Sequence, residues 1–154
     1  MIIIGADHAG IELKNKLIDY LYNKKIEYID LSKDNNIKND DYPDTSRKIC
    51  KKVLENNLNL GIAICGTGIG MSIAANKVRG IRAALCMDEY MAEMSRKHNN
   101  ANVLCLGARL DAMSNLENAT KIVDAFINNF YEGGRHDARL EKIKKIEKEN
   151  IKNR

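Results

Sequence analysis

Aromatic residues are scarce in this chain: no tryptophan, two phenylalanines and six tyrosines among 154 residues. Proline is scarcer still, with Pro43 alone. No apolar run approaches the roughly 18–20 residues that a membrane span needs, so no membrane partner is expected. The start, Met1-Ile2-Ile3-Ile4-Gly5, has no basic n-region and turns acidic at Asp7. A signal peptide is therefore not expected. Cysteine is limited to Cys50, Cys65, Cys86 and Cys105, spaced 15, 21 and 19 residues apart. No C-x-x-C pair exists, which argues against a zinc site. Without a signal peptide, disulfides are not expected either, and a reducing cytoplasm is the default location.

What is present is ordinary for a globular chain: 44% hydrophobic and 30% charged residues. The length suits one domain with a proper core. The net charge of +4 is not spread evenly. Arg135–Arg154 carries eight Lys/Arg and four Asp/Glu, and the rest of the chain balances 17 against 17. A nucleic-acid binder would show a basic stripe interleaved with aromatics, and no aromatic follows Tyr131. A small anionic ligand or a solvated helix accounts for the excess better.

Short apolar runs alternate with helical patterns. Strands are expected at Ile2–Gly5, Ile26–Asp30, Leu60–Cys65, Arg82–Cys86 and Val103–Leu106. Leu60–Cys65 is almost wholly apolar, as in a strand covered on both faces. Between them, Leu13, Leu17, Ile18 and Leu21 recur at a helical period within 11–24. The stretch Ser32–Asp44 reads as a loop, with Pro43 fit for the first turn of the next helix. That helix should bury Ile49, Cys50, Val53 and Leu54. After the glycine-rich turn Gly66–Gly70, helix is expected over Met71–Lys77. Asp88–His98 reads as a helix capped by Asp88, and Leu116–Phe130 as one with a stripe at Leu116, Ala119, Val123, Phe126, Ile127 and Phe130. Residues 136–154 form a charged helix with a thin stripe at Leu140, Ile143 and Ile146, packed on its own domain or on a neighbouring subunit. The whole reads as an α/β fold: a three-layer α/β/α sandwich on a five-stranded parallel sheet. Strand order does not follow from the pattern.

In such sheets, ligands bind beyond the carboxyl ends of the strands. That rule selects Asp7-His8, Cys65–Gly70, Asp88 and Gly107–Arg109. Gly66-Thr67-Gly68-Ile69-Gly70 follows a strand and opens a helix. Its amides could face an anion or a developing oxyanion, or the segment is simply a tight turn. It is neither a dinucleotide fingerprint, because Met71 stands where a glycine is needed, nor a P-loop. Cys65 precedes a helix start, where a thiolate is favoured, or is a packed strand residue. Asp7 could handle hydroxyl protons or cap the first helix. His98 could be an acid or a favourable charge at a helix C-terminus. Arg109, and Arg135 with Arg139 on one helix face, could clamp a phosphate or make surface salt bridges.

Jointly these pieces resemble one family. Gly5-Ala6-Asp7-His8-Ala9-Gly10, Asp41-Tyr42-Pro43, Ile64–Lys77, Gly80–Ala83, Ser95–Asn99 with Ala101–Leu104, and Tyr131–His136 with Arg139 follow in order over nearly the whole chain. They resemble the B-type ribose-5-phosphate isomerases, grouped with the galactose-6-phosphate isomerase subunits. The resemblance implies a metal- and cofactor-free aldose–ketose isomerase of the pentose phosphate pathway, working as a homodimer or homotetramer with sites at the dimer interface. It implies Cys65 as the base between C1 and C2, with Thr67 and the amides of Gly66, Gly68 and Gly70 supporting the enediolate. It further implies His98, with Asp7, as ring opener. Tyr42 and Asn99 would line the sugar site, and His8, Arg109, Arg135 and Arg139 would hold the phosphate. His136 is a weaker carry-over. Galactose-6-phosphate isomerase, which pairs two different subunits, is the alternative within the family, and its subunits typically lack the combination of His98 with Gly133–His136. Outside the family, a non-catalytic phosphosugar or nucleotide binder would use the same turn and arginines, but has no need of a base or a ring opener.

Overall fold

The structure, a computed structural model, describes residues 1–32 and 41–152. Five strands form one parallel sheet: β1 (Ile2–Ala6), β2 (Tyr28–Asp30), β3 (Leu60–Cys65), β4 (Ala83–Leu85) and β5 (Val103–Gly107), in the order β2-β1-β3-β5-β4. The helices are α1 (Ile11–Asn23), α2 (Tyr42–Val53), α3 (Ile69–Ala75), α4 (Glu89–Asn99), the short α5 (Asp111–Ser114), α6 (Leu116–Asn128) and α7 (Asp137–Lys152). A 3₁₀ turn over Gly134–His136 leads into α7. Among the described residues, no helix is long and apolar enough to cross a membrane.

Strand side chains alternate between faces, and the two cores follow that alternation. Ile2, Ile4, Ile62, Ile64, Leu104 and Leu106 meet α1, α4 and α6 on one side. Ile3, Ala63, Cys65, Val103 and Cys105 meet α2 and α3 on the other. The expected three layers are therefore present, and both faces of the central strands are dry.

Several boundaries differ from the sequence expectation for local reasons. The loop expected over 32–44 ends at Asp41, because Pro43 does sit in the first turn of α2, and 33–40 lie outside the described residues. Helix α3 starts at Ile69, inside the glycine turn, because Gly68 at φ 75° already turns the chain. Leu54 is the C-cap of α2 and is exposed, with its tip resting over Gly80. Helix α6 ends at Asn128, so Phe130 lies beyond it and is exposed; Leu116 at its first turn is also exposed, and Ile122 is buried instead. Of the α7 stripe, Leu140 is buried while Ile143 and Ile146 are exposed. That helix is held near β4 by Glu147 Oε1, which accepts from Gly80 N–H at 2.9 Å.

Lys14 was not expected in the core. It falls on the α1 face that carries Leu17 and Leu21, so helical period alone drives it inward. Its side chain is 1% exposed and donates from Nζ to Asp30 Oδ2 at 2.8 Å and to Ser32 O at 3.0 Å. Ser32 Oγ in turn accepts from Ala6 N–H at 3.0 Å, which ties the end of β2 to the end of β1.

Candidate active site

The strand order reverses between β1 and β3, since the chain leaves β1 for β2 on one side and returns to β3 on the other. A crevice opens at the carboxyl ends of such a strand pair. Here those ends carry Asp7-His8 and Cys65-Gly66. Asp7 N–H donates to Ile64 O at 3.1 Å, so the two turns leave the sheet side by side. Asp7 does not cap α1: Gly10 occupies the cap position without a side-chain bond, and Asp7 Oδ1 accepts from Ala9 N–H at 2.9 Å.

Cys65 is buried at the last residue of β3, and its Sγ accepts a hydrogen bond from Gly68 N–H at 3.1 Å. Gly68 is the residue that makes this possible. Its φ of 75° aims the amide back at the sulfur, and a Cβ there would stand 2.5 Å from Leu85 Cδ1 and 2.9 Å from the Leu106 carbonyl carbon. Gly107 completes the close approach, because a Cβ on it would lie 2.6 Å from the Thr67 carbonyl. Thr67 is exposed above the turn, its Oγ1 accepting from Ile69 N–H at 3.4 Å.

Arg109 leaves β5 and folds over the same turn: its N–H donates to Gly66 O at 2.9 Å, and its guanidinium lies against Gly66. The Tyr42 ring lies over Gly70, where an added Cβ would come within 2.8 Å of Cε2. One edge of the sheet thus gathers Asp7, His8, Tyr42, Cys65, Gly66, Thr67, Gly68, Gly70 and Arg109. The other three thiols differ in kind. Burial pushes Cys50 and Cys86 up to about 11 and raises Cys105 further.

The remaining expected residues are elsewhere. Helix α4 returns from the carboxyl end of β4 to the amino end of β5, so His98 and Asn99, in its last turn, stand at the amino edge. Cys65 pairs with Gly107 and Gly61 with Val103, so at least about 13 Å of strand separates the two levels. Arg135, His136 and Arg139 follow α6 to that same amino edge, where Glu132 N–H donates to Lys97 O at 3.1 Å. Arg96 joins the two segments, donating from Nε to Asn129 O at 3.2 Å and from Nη1 to Ala101 O. Arg82 Nε donates to Asn100 O at 2.8 Å. Within one chain, then, the structure does not bring His98, Asn99, Arg135 or Arg139 to Cys65.

At the amino edge the His98 and His136 rings stack, with centroids 4.2 Å apart and planes 15° from parallel. Burial, His98, Arg135 and Arg139 all hold the His136 imidazole below its ordinary value, against a weaker pull from Glu132. His98, Glu132 and His136 offer ligand atoms within 4.8 Å of one another. The set does not fit a metal ion as arranged. An ion must lie near both ring planes at about 2.0–2.1 Å from each nitrogen, and nearly parallel stacked rings share no such point.

The sequence profile described as Ribose/Galactose Isomerase matches residues 2–143. The chain is 46% identical over 149 residues to a probable ribose-5-phosphate isomerase B of Mycoplasma genitalium, covering 96% of each. It is 45% identical over 142 residues to a D-erythrulose-4-phosphate isomerase of Pectobacterium atrosepticum, covering 92% of this chain and 91% of the other. A crystal structure of ribose-5-phosphate isomerase B from Mycoplasma genitalium with bound ribulose-5-phosphate superposes with a TM-score of 0.87 at 44% identity, covering 96% of both chains. With the sheet order, the thiol at the end of β3 and these likenesses in agreement, the chain belongs to the ribose/galactose isomerase family, on its ribose-5-phosphate isomerase B side.

Proposed function

We propose that this sugar-phosphate isomerase interconverts D-ribose 5-phosphate and D-ribulose 5-phosphate through an enediolate, with Cys65 as the base and without a metal or cofactor. The observation that carries the reading is the Gly68 N–H aimed at Cys65 Sγ inside a turn of further amides. A proton on carbon next to a carbonyl is acidic only if the enediolate charge is stabilised. Preorganised amides supply that where water is excluded. Cys65 Sγ, held by the Gly68 N–H, accepts the proton from C2 and returns it to C1. Thr67 and the amides of Gly66–Gly70 support the oxygens.

Ribose 5-phosphate is a ring in water and must open first. His98 gives a proton to the ring oxygen as the C1–O4 bond breaks, and Asp7 takes the proton of the C1 hydroxyl, leaving the aldehyde. His8, Arg109, Arg135 and Arg139 bind the phosphate, while Tyr42 and Asn99 line the sugar. The phosphate supplies remote binding energy that fixes the reacting end.

Since the two groups of residues stand on opposite edges of one sheet, a second copy of the chain completes each site. Cys65 and its turn come from one subunit, and His98, Asn99, Arg135 and Arg139 from the other. Ile69, Ile73, Tyr90 and Met91, exposed on α3 and α4 near the Cys65 turn, offer apolar surface for that contact. The four free thiols suit a reducing cytoplasm, and the proposed reaction would serve the pentose phosphate pathway. A four-carbon substrate is the second reading, favoured by the Pectobacterium relative.

The test is turnover of ribose 5-phosphate in EDTA by the native chain and by Cys65→Ala. Turnover in EDTA that the substitution abolishes is expected. Activity surviving in Cys65→Ala would move the base elsewhere. Native inactivity on ribose 5-phosphate alongside turnover of erythrulose 4-phosphate would replace the substrate.

A further inference from the structure

We infer that His136 is a positioning residue for ring opening: its imidazole stacks on His98 and holds that ring in the one plane from which it serves the sugar oxygen. The inference rests on the isomerase reading above and adds a residue to its ring-opening half.

His136 is 4% exposed, although it stands at the start of a charged helix. A histidine kept for core packing is ordinarily tied through both ring nitrogens to buried acceptors or donors. Here, among the described residues, Nδ1 meets Arg139 Nη1 at 3.4 Å and Nε2 has no hydrogen-bond partner. A guanidinium only donates, so Nδ1 accepts, and a neutral ring carries its proton on Nε2. The ring is thus oriented by Arg139 at one nitrogen and by the face of His98.

The stack also divides labour. Two imidazolium rings 4.2 Å apart would repel. Burial, His98, Arg135 and Arg139 disfavour the charged form of His136. His98 is half-buried, at the C-terminal turn of α4. His98, the more exposed ring, is the acid of the proposed reading, and His136 is the flat partner that fixes its orientation. The rest of the cradle is rigid: Glu132 N–H holds Lys97 O, and Arg96 ties Asn129 O to Ala101 O.

Ring opening can be read apart from proton transfer at carbon. In a Cys65→Ala background, exchange between the α and β furanose anomers of ribose 5-phosphate, followed by NMR magnetisation transfer, reports ring opening alone. Adding His136→Ala is expected to slow that exchange by about tenfold to a hundredfold, the scale of a misplaced catalytic group. His136→Phe keeps a flat partner and is expected to recover most of it. With Cys65 intact, deuterium wash-in from solvent at C1 of ribulose 5-phosphate needs no ring opening, because that ketose cannot close a furanose through its esterified C5 oxygen. It is expected to stay close to native in both His136 variants. Anomer exchange indifferent to His136→Ala, or wash-in that falls in step with it, overturns the inference. A native chain that neither shows wash-in nor converts ribulose 5-phosphate to ribose 5-phosphate overturns the isomerase reading and this inference together.

Discussion

At the carboxyl edge of the sheet, Asp7, Cys65, Thr67 and Arg109 stand on short turns whose amides bond directly to neighbouring strands. At the amino edge, His98, Asn99, Arg135 and Arg139 stand on helix ends held by Arg82, Arg96 and backbone bonds. The first edge supplies a buried sulfur under oriented N–H groups, suited to moving a carbon-bound proton. The second supplies imidazole and guanidinium groups, suited to an alcohol proton and a phosphate. Neither edge gathers all the residues proposed for the isomerase site. The difference teaches that one fold divides those residues between two edges, which under the proposed reading meet between copies.

The sharpest way to break that comparison is to disable one edge at a time. Cys65→Ala and His98→Ala homomers are each expected to lose about 10²–10⁴-fold in turnover. Co-refolded in equal amounts, half of the dimers are mixed and each mixed dimer holds one intact site. Activity should then recover to about a quarter of native. Mixtures as inactive as the parents would place both halves in one chain's site and sink the two-edge reading.

The next largest effect concerns what holds the carboxyl edge in place. Lys14→Ala removes the buried cation facing the Asp30 carboxylate, which keeps only Ser32 N–H and Oγ as donors, and removes the bond to Ser32 O. A loss of about 3–5 kcal/mol in urea unfolding is expected. A loss under about 1 kcal/mol, the size of a surface pair, would show that this contact does not anchor the edge.

The thiols offer a smaller and more local test. Cys50 and Cys86, pushed up to about 11 by burial, remain protonated at neutral pH, and Cys105 more so. Iodoacetamide at pH 7.5 should therefore label Cys65 ahead of the other three, as read by peptide mass spectrometry. Equal labelling of all four would mean that the carboxyl edge confers no special reactivity.

The smallest effect belongs to the amino edge. The folded His136 value lies below its ordinary 6.5. Between the two values the unfolded chain binds more protons, so stability rises with pH and is lost as pH falls below about 6.5. Urea melts at pH 7.5 and 5.5 should differ less for His136→Phe than for the native chain. An unchanged difference would assign the acid sensitivity to other groups.

Much of this arrangement was legible in the chain. The all-apolar Leu60–Cys65 run marked a strand covered on both faces, and the glycines after it marked a turn that brings amides to Cys65. Asp88 did cap its helix, accepting from Met91 N–H at 2.7 Å. What the sequence misjudged, missed or left open lay where tertiary packing outweighs local pattern. Phe130 is apolar but falls past the end of α6, and Leu54 past the end of α2. Lys14 is charged but lies on a buried helix face, where Asp30 and Ser32 take its protons. The Asp7 side chain closes a turn instead of capping α1, because three residues intervene before the helix begins.

Periodicity, glycine placement and residue chemistry are local properties, so the sequence by itself determined the layered α/β class, the strand that ends in Cys65 and the set of candidate groups for the site. Strand order, the Lys14 clamp, the His98–His136 stack and the assignment of each group to an edge depend on which distant segments pack together. Those were decided only by the tertiary structure, because a helix must run back across a parallel sheet and so carries His98 away from the strand end that bears Cys65.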